Sequence, residues 1–219
     1  LEGNEAKYLS DCISTNWISS RGKYVSRFEK DFSFLHKNRK SLAVSSGTAG
    51  LHLAIKSLGI KENDEVIIPN FTFAAVINSV LYERAKPVIV DVDKNKWTID
   101  VKEIIKNITK KTKAIIAVHI YGNPCDLINL KKICKKNKIF LIEDCAEAIG
   151  SKYNNKLVGT FGDCAVFSFF ANKTISTGEG GMIIFKEKKY YHRAKILRDH
   201  GMLEKKKYYH KEIGFNYRM

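Results

Sequence analysis

No apolar run in this sequence approaches the roughly 20 residues that a membrane-spanning helix needs. The opening residues, Leu-Glu-Gly-Asn-Glu-Ala-Lys-Tyr, lack the basic and apolar regions of a secretory signal. Cysteine is sparse: Cys12, Cys125, Cys134, Cys145 and Cys164 are odd in number, widely spaced and never in a CxxC pair. That argues against a disulfide framework and predicts reduced thiols in a cytoplasmic protein. With only 3 prolines in 219 residues and no stretch rich in Gly or Ser, no linker divides the chain. Catalytic signatures are missing too. The six histidines form no HExxH, there is no GxSxG elbow, and neither GxxxxGK[ST] nor GxGxxG occurs. Metal catalysis, serine-type acyl transfer and the common nucleotide-binding loops are therefore not expected.

Negative charge is also short. Against 38 Lys and Arg stand 23 Asp and Glu, a formal charge of +15. The excess is mostly lysine, in short runs such as 110–111, 131–132 and 135–136, without the interleaved stacking aromatics of an RNA reader. These runs read as solvated helix faces that favour anionic substrates, not as a nucleic-acid surface.

What is present is an alternation of apolar runs and helical spacing. Residues 41–45, 65–68, 86–90, 113–118 and 139–142 read as strands, and 49–58, 73–82, 101–108 and 127–136 as helices between them. Gly59 supplies a helix stop. Continuous β-branched strands separated by helices predict an α/β domain, a mostly parallel sheet flanked by helices. Residues 165–170 and 181–185 are joined by a loop too short for a parallel crossover, so this pair is expected to be antiparallel. A helix over 190–198 comes next. The chain begins without Met and stops at Gly-Phe-Asn-Tyr-Arg-Met219 without a terminal signature, so it reads as part of a longer protein.

Four places carry candidate chemistry. In Ser45-Ser-Gly47-Thr48 a strand gives way to a helix, where free N–H groups and the helix dipole suit a phosphate; a simple N-cap at Ser46 or Thr48 is the competing reading. Asp144 ends an apolar strand on the sheet edge where ligands collect in open α/β folds. It is either a functional carboxylate or a cap for the next helix, a role Glu143 can equally fill. Phe71-Thr-Phe73 sits on the same edge; taken alone, core packing is the better reading, with stacking on a flat ring the alternative. Lys173 lies in a loop of apolar and small residues, where burial disfavours the ammonium and prepares a nucleophilic amine. Ser168 is placed to meet the same phosphate. A lysine that forms an imine, with an aspartate that keeps a pyridine nitrogen protonated, is the minimum for holding pyridoxal phosphate.

Seven stretches in order along the chain resemble the nucleotide-sugar aminotransferases of the DegT/DnrJ/EryC1/StrS family. They are Ser45-Ser-Gly-Thr-Ala-Gly-Leu51, Pro69-Asn-Phe-Thr-Phe73, Val118-His-Ile-Tyr-Gly122, Glu143-Asp-Cys-Ala-Glu-Ala148, Ser168 through Gly181, Arg198-Asp-His-Gly201 and Gly214 through Met219. The resemblance implies the large domain of a fold type I transferase over residues 1–219, its smaller C-terminal domain lying outside the sequence. It implies Lys173 as the Schiff-base lysine of pyridoxal phosphate, Asp144 at the pyridinium nitrogen, and Gly47, Thr48 and Ser168 on the phosphate. Phe73 would stack on the ring, and Glu147 stands near the ring oxygen where many members have glutamine. Asn216 would reach the neighbouring subunit's cofactor, implying a homodimer with shared sites. Glutamate would be the amino donor and a nucleotide-linked sugar the acceptor. The wording around Lys173 resembles most the branch that aminates C4 of a GDP-linked 4-keto-6-deoxy sugar, for surface polysaccharide such as O-antigen. Lys173 argues against the branch that carries histidine there, and Lys173 with Asp144 argues against a non-catalytic regulatory module.

Overall fold

A computed structural model describes residues 2–203, 206 and 208–219. Two helices that the spacing did not reveal come first, α1 (Glu5–Ser14) and α2 (Lys23–Leu35). The first buries no side chain and the second only Phe32, so neither carries a wide apolar stripe. Then the alternation begins: β1 (Lys40–Val44), α3 (Gly47–Leu58), β2 (Glu65–Pro69), α4 (Ala74–Tyr82), β3 (Lys86–Val90), α5 (Val101–Asn107), β4 (Thr112–Val118), α6 (Leu127–Asn137) and β5 (Phe140–Asp144). A two-residue hairpin, β6 (Lys152–Tyr153) and β7 (Lys156–Leu157), precedes β8 (Cys164–Ser168), β9 (Gly181–Phe185) and α7 (Lys188–Arg198).

Seven strands form one sheet in the order β1-β9-β8-β5-β4-β2-β3. Only β9 runs against its neighbours, β1 and β8; the other pairs are parallel, as the run lengths and connections predicted. Alternate residues of each strand feed two cores. Leu42, Val44, Val66, Ile68, Ile116 and Val166 pack beneath the α3 side of the sheet, while Ala43, Ile67, Ile115, Leu141 and Phe167 pack on the other. Gly59 closes α3 in the left-handed conformation, φ +86°, where glycine avoids a Cβ clash. Lys131, Lys132, Lys135 and Lys136 all lie exposed on α6, the solvated face expected of them. Among the described residues no helix is long and apolar enough to cross a membrane.

The topology brings seven strand ends to one edge: β1, β2, β3, β4, β5 and β8 deliver their carboxyl ends there, and antiparallel β9 starts there. Val118 is level with Asp144 and Asp144 with Val166, while Gly181 pairs with both Val44 and Ser168. A Cβ on Gly181 would sit 2.8 Å from the Ser46 carbonyl, so only glycine lets β9 pass under the β1–α3 turn. The Lys173 loop, between β8 and β9, is held over this edge.

Candidate active site

A cavity of about 390 Å³ opens at that edge. Its wall includes Gly47, Thr48, Phe73, Asp144, Glu147, Ser168 and Lys173, seven of the eight site residues expected from the sequence. Asn216 is not among the lining residues; it is exposed and pairs with Asp199 in a β-bridge on the C-terminal segment.

The β1–α3 turn forms one end of the cavity. Ser46 is indeed the N-cap: Ala49 N–H donates to its Oγ at 3.1 Å. That leaves the amides of Gly47 and Thr48 at the start of a 12-residue helix, where no intrahelical acceptor exists for them. The Ser46 cap thus leaves these two amides without an intrahelical acceptor. A Cβ on Gly47 would come within 3.0 Å of the Ser168 Cβ, so the glycine keeps the turn close to the Ser168 hydroxyl.

At the other end the structure separates Glu143 from Asp144. Glu143 points away from the cavity and is spent on the fold. Its Oε1 accepts N–H groups of Phe161 and Gly162, and its Oε2 accepts those of Gly159 and the His119 ring. Burial raises its pKa, but the His119 ring and these amides outweigh that and hold Glu143 below the usual carboxylate range. Asp144 is only 6% exposed and faces the cavity. Its carboxylate accepts one backbone N–H, from Ala146 at 3.0 Å, capping a turn and no helix. Burial pushes its pKa up, with Ala146, His119 and Lys173 opposing. A buried carboxylate so lightly bonded is suited to a cationic partner.

Lys173 is not surrounded by apolar groups alone. Its side chain is 19% exposed and its Nζ lies 3.2 Å from Glu147 Oε1, so the expected apolar setting is interrupted by a counterion. The other oxygen of Glu147 accepts the Tyr121 N–H at 2.9 Å. Phe73 corrects the reading made of that segment alone: it is 79% exposed at the N-cap of α4, on the cavity rim and not in the core. As N-cap, Phe73 has extended backbone (φ −72°, ψ 147°), so its side chain does not follow the helical face that buries Val76 and Val80.

Two residues escaped the sequence reading. Thr72 lines the cavity, and its buried hydroxyl finds no hydrogen-bond partner among the described residues. Its place between two aromatics hid it. His119 stands behind Asp144, its N–H bonded to the Asp144 carbonyl at 3.0 Å. Cys125 N–H donates to His119 Nδ1, which fixes the ring proton on Nε2 toward Glu143. His119, Glu143 and Cys145 converge within 4.8 Å, a grouping of metal-ligand types that their spacing in sequence conceals. His119 Nε2 and Glu143 are bonded to each other, Glu143 takes three backbone amides besides, and burial pushes the Cys145 thiol up to about 12, away from the thiolate a metal needs.

An anion seat at a helix N-terminus, an unpartnered hydroxyl, a buried carboxylate across the cavity and a lysine between them fit a flat, phosphorylated molecule with a protonatable ring nitrogen. That donor set fits pyridoxal phosphate.

Comparison with known proteins points the same way. The model of the DegT/DnrJ/EryC1/StrS aminotransferase family matches residues 1–219. The GDP-perosamine synthase of Escherichia coli O157:H7 is 47% identical over 219 residues, 100% of this chain and 60% of that protein. That of Vibrio cholerae is also 47% identical, with the same coverage. Among solved structures, 3-amino-5-hydroxybenzoic acid synthase superposes with a TM-score of 0.95 at 32% identity, over 100% of this chain and 58% of that one. This chain therefore spans about 60% of the length of the curated relatives it matches.

Proposed function

The chain belongs to the DegT/DnrJ/EryC1/StrS aminotransferase family, and from that premise we propose that it is the cofactor-binding large domain of a pyridoxal phosphate-dependent sugar aminotransferase. The amino donor is glutamate, and the acceptor is a nucleotide-linked 4-keto-6-deoxy sugar. Identity of 47% to two GDP-perosamine synthases supports a GDP-linked acceptor. The observation that carries the reading is the convergence of Lys173, Asp144 and the N-terminus of α3 on one cavity.

Pyridoxal phosphate, when bound, supplies a carbonyl carbon for the amino group and a ring that withdraws electrons from it. The chain's own residues do the rest. The Gly47 and Thr48 amides and the Ser168 hydroxyl bind the phosphate, with the Thr72 hydroxyl available to the same group. Asp144 holds a proton on the ring nitrogen; its buried carboxylate gains the cationic partner it otherwise lacks. Phe73, on the rim, would be available to cover the ring, and Glu147, which pairs with Lys173, would be available to its ring oxygen. Lys173 would hold the cofactor covalently, and its Nζ, when free, would act as the base that takes the proton from the donor's Cα and as the acid that gives it back.

Asn216 stands outside this chain's cavity, which supports a role in a second subunit's site and hence a homodimer with shared sites. All five cysteines are free thiols, four of them buried, which supports a reducing, cytoplasmic setting. Reductive trapping of the loaded protein and then peptide mapping tests the assignment. The cofactor is expected on Lys173; a label on any other lysine overturns it.

A further inference from the structure

The cavity rim carries aromatic rings that the chemistry at Lys173 does not need. Phe71 meets Trp97 edge-on, with centroids 5.2 Å apart and planes at 85°, and meets Tyr121 at 6.5 Å and 64°. Trp97 is 53% exposed and Tyr121 76%. Both have positive φ, +60° and +48°, a conformation that bulky side chains adopt only where the surroundings hold them. The surroundings here do so. Asp93 Oδ1 accepts the N–H groups of Asn95 and Lys96, the Trp97 N–H donates to the Asp93 carbonyl, and the Asn123 amide donates to the Lys96 carbonyl. The Tyr121 N–H is tied to Glu147. The fold thus keeps strained backbone to present rings that hydrophobic burial would otherwise cover.

These rings are continuous with the site. Phe71 leads into Thr72 and Phe73, and Tyr121 comes after Ile120, and Thr72, Phe73 and Ile120 all line the cavity. A second recess of about 370 Å³ lies between Phe71 and Trp97, bounded also by Lys94. Lys94 and Lys96 are exposed on the same loop.

We propose that Phe71, Trp97 and Tyr121 form a stacking shelf for the base of a nucleoside diphosphate whose sugar reaches toward Lys173. The inference rests on the function proposed above and adds to it where the far end of the substrate lies. Every nucleobase has a flat π-face, so exposed rings hold one without needing edge contacts. Two lysines on the loop complement a diphosphate linking base to sugar. Lys94 and Lys96, exposed on the loop that carries Trp97, favour an anionic occupant.

The test uses the full-length, cofactor-loaded protein with guanosine diphosphate and uridine diphosphate as probes. The Trp97 fluorescence, taken as the difference between the parent and Trp97→Phe, is expected to change saturably with at least one probe. By calorimetry Trp97→Ala is expected to raise that Kd about ten-fold, within the range measured for single base–aromatic stacks. Trp97→Phe, which retains a stacking face, is expected to stay within a few-fold of the parent, and this guards against a folding defect. Unchanged affinity in Trp97→Ala overturns the shelf, as does binding of neither probe. A shift in oligomeric state by light scattering without a change in Kd also overturns it, and would mark the rings as a subunit contact. Conversion of the cofactor by glutamate in the unsubstituted protein tests the underlying function separately.

Discussion

Replacing Glu143 with Gln changes little in size, yet it removes an acceptor from a site with four donors. In the native protein each carboxylate oxygen takes two: Phe161 and Gly162 N–H at 2.8 and 2.6 Å, and Gly159 N–H and His119 Nε2 at 2.7 and 3.2 Å. An amide keeps one oxygen. Its NH₂ faces two donors whichever way it is turned, and the site is fully buried. Each stranded buried donor costs about 1–3 kcal/mol. The sum, about 2–6 kcal/mol, is a large share of the roughly 5–15 kcal/mol that holds a domain together. At about 2–4 °C per kcal/mol for a domain of this size, the midpoint should fall by about 4–24 °C. Thermal unfolding of the full-length variant, with urea titration to check that the m-value is unchanged, measures this. A fall of less than about 2 °C would refute the assignment of Glu143 as the hydrogen-bond centre behind Asp144.

Asp144→Asn should act in the opposite sense on the cofactor-free protein. The pKa of Asp144 is raised by burial, so the folded state binds that proton more tightly than the unfolded state. Its contribution to stability is therefore present below the ordinary carboxylate range and lost as pH rises through the raised value. The variant should lack this loss in a series of melting curves against pH, and should bind pyridoxal phosphate more weakly; identical pH profiles would count against a buried, lightly bonded carboxylate. Thiol titration gives an independent check on the packing. Cys12 is half-exposed, whereas burial pushes Cys134 and Cys145 to about 12 and Cys164 higher still. Of the five cysteines, Cys12 should react quickly in the native protein and the other four only on unfolding, and fast labelling of any of those four, mapped by mass spectrometry, would contradict the buried placement.

The strands and most of the helices were legible because their apolar spacing is repeated and uninterrupted from residue 41 onward. The antiparallel turn at β8–β9 followed from loop length alone. The first two helices were not read, although Val25, Phe28 and Phe32 stand at helical spacing in α2, since most of their other positions face solvent. At the site, adjacent carboxylates were the limit of sequence reasoning. Glu143 and Asp144 differ only in which sheet face each meets, and strand alternation around a register fixed by β4 and β8 decides that. Phe73 looked like core because its neighbours are apolar, but an N-cap position turns outward. The Glu147–Lys173 pair, 26 residues apart, depends on a loop whose path no local spacing encodes.

The central claim is that Lys173 is the amine that holds the cofactor and exchanges it with an amino acid. The direct measurement is the absorbance spectrum of the full-length protein loaded with pyridoxal phosphate, before and after glutamate, beside Lys173→Ala. The parent should show the visible band of lysine-bound cofactor and lose it to the near-ultraviolet band of the aminated form on adding glutamate. The variant should show neither the starting band nor the conversion. A parent that binds no cofactor, or a variant that converts as the parent does, would contradict the claim.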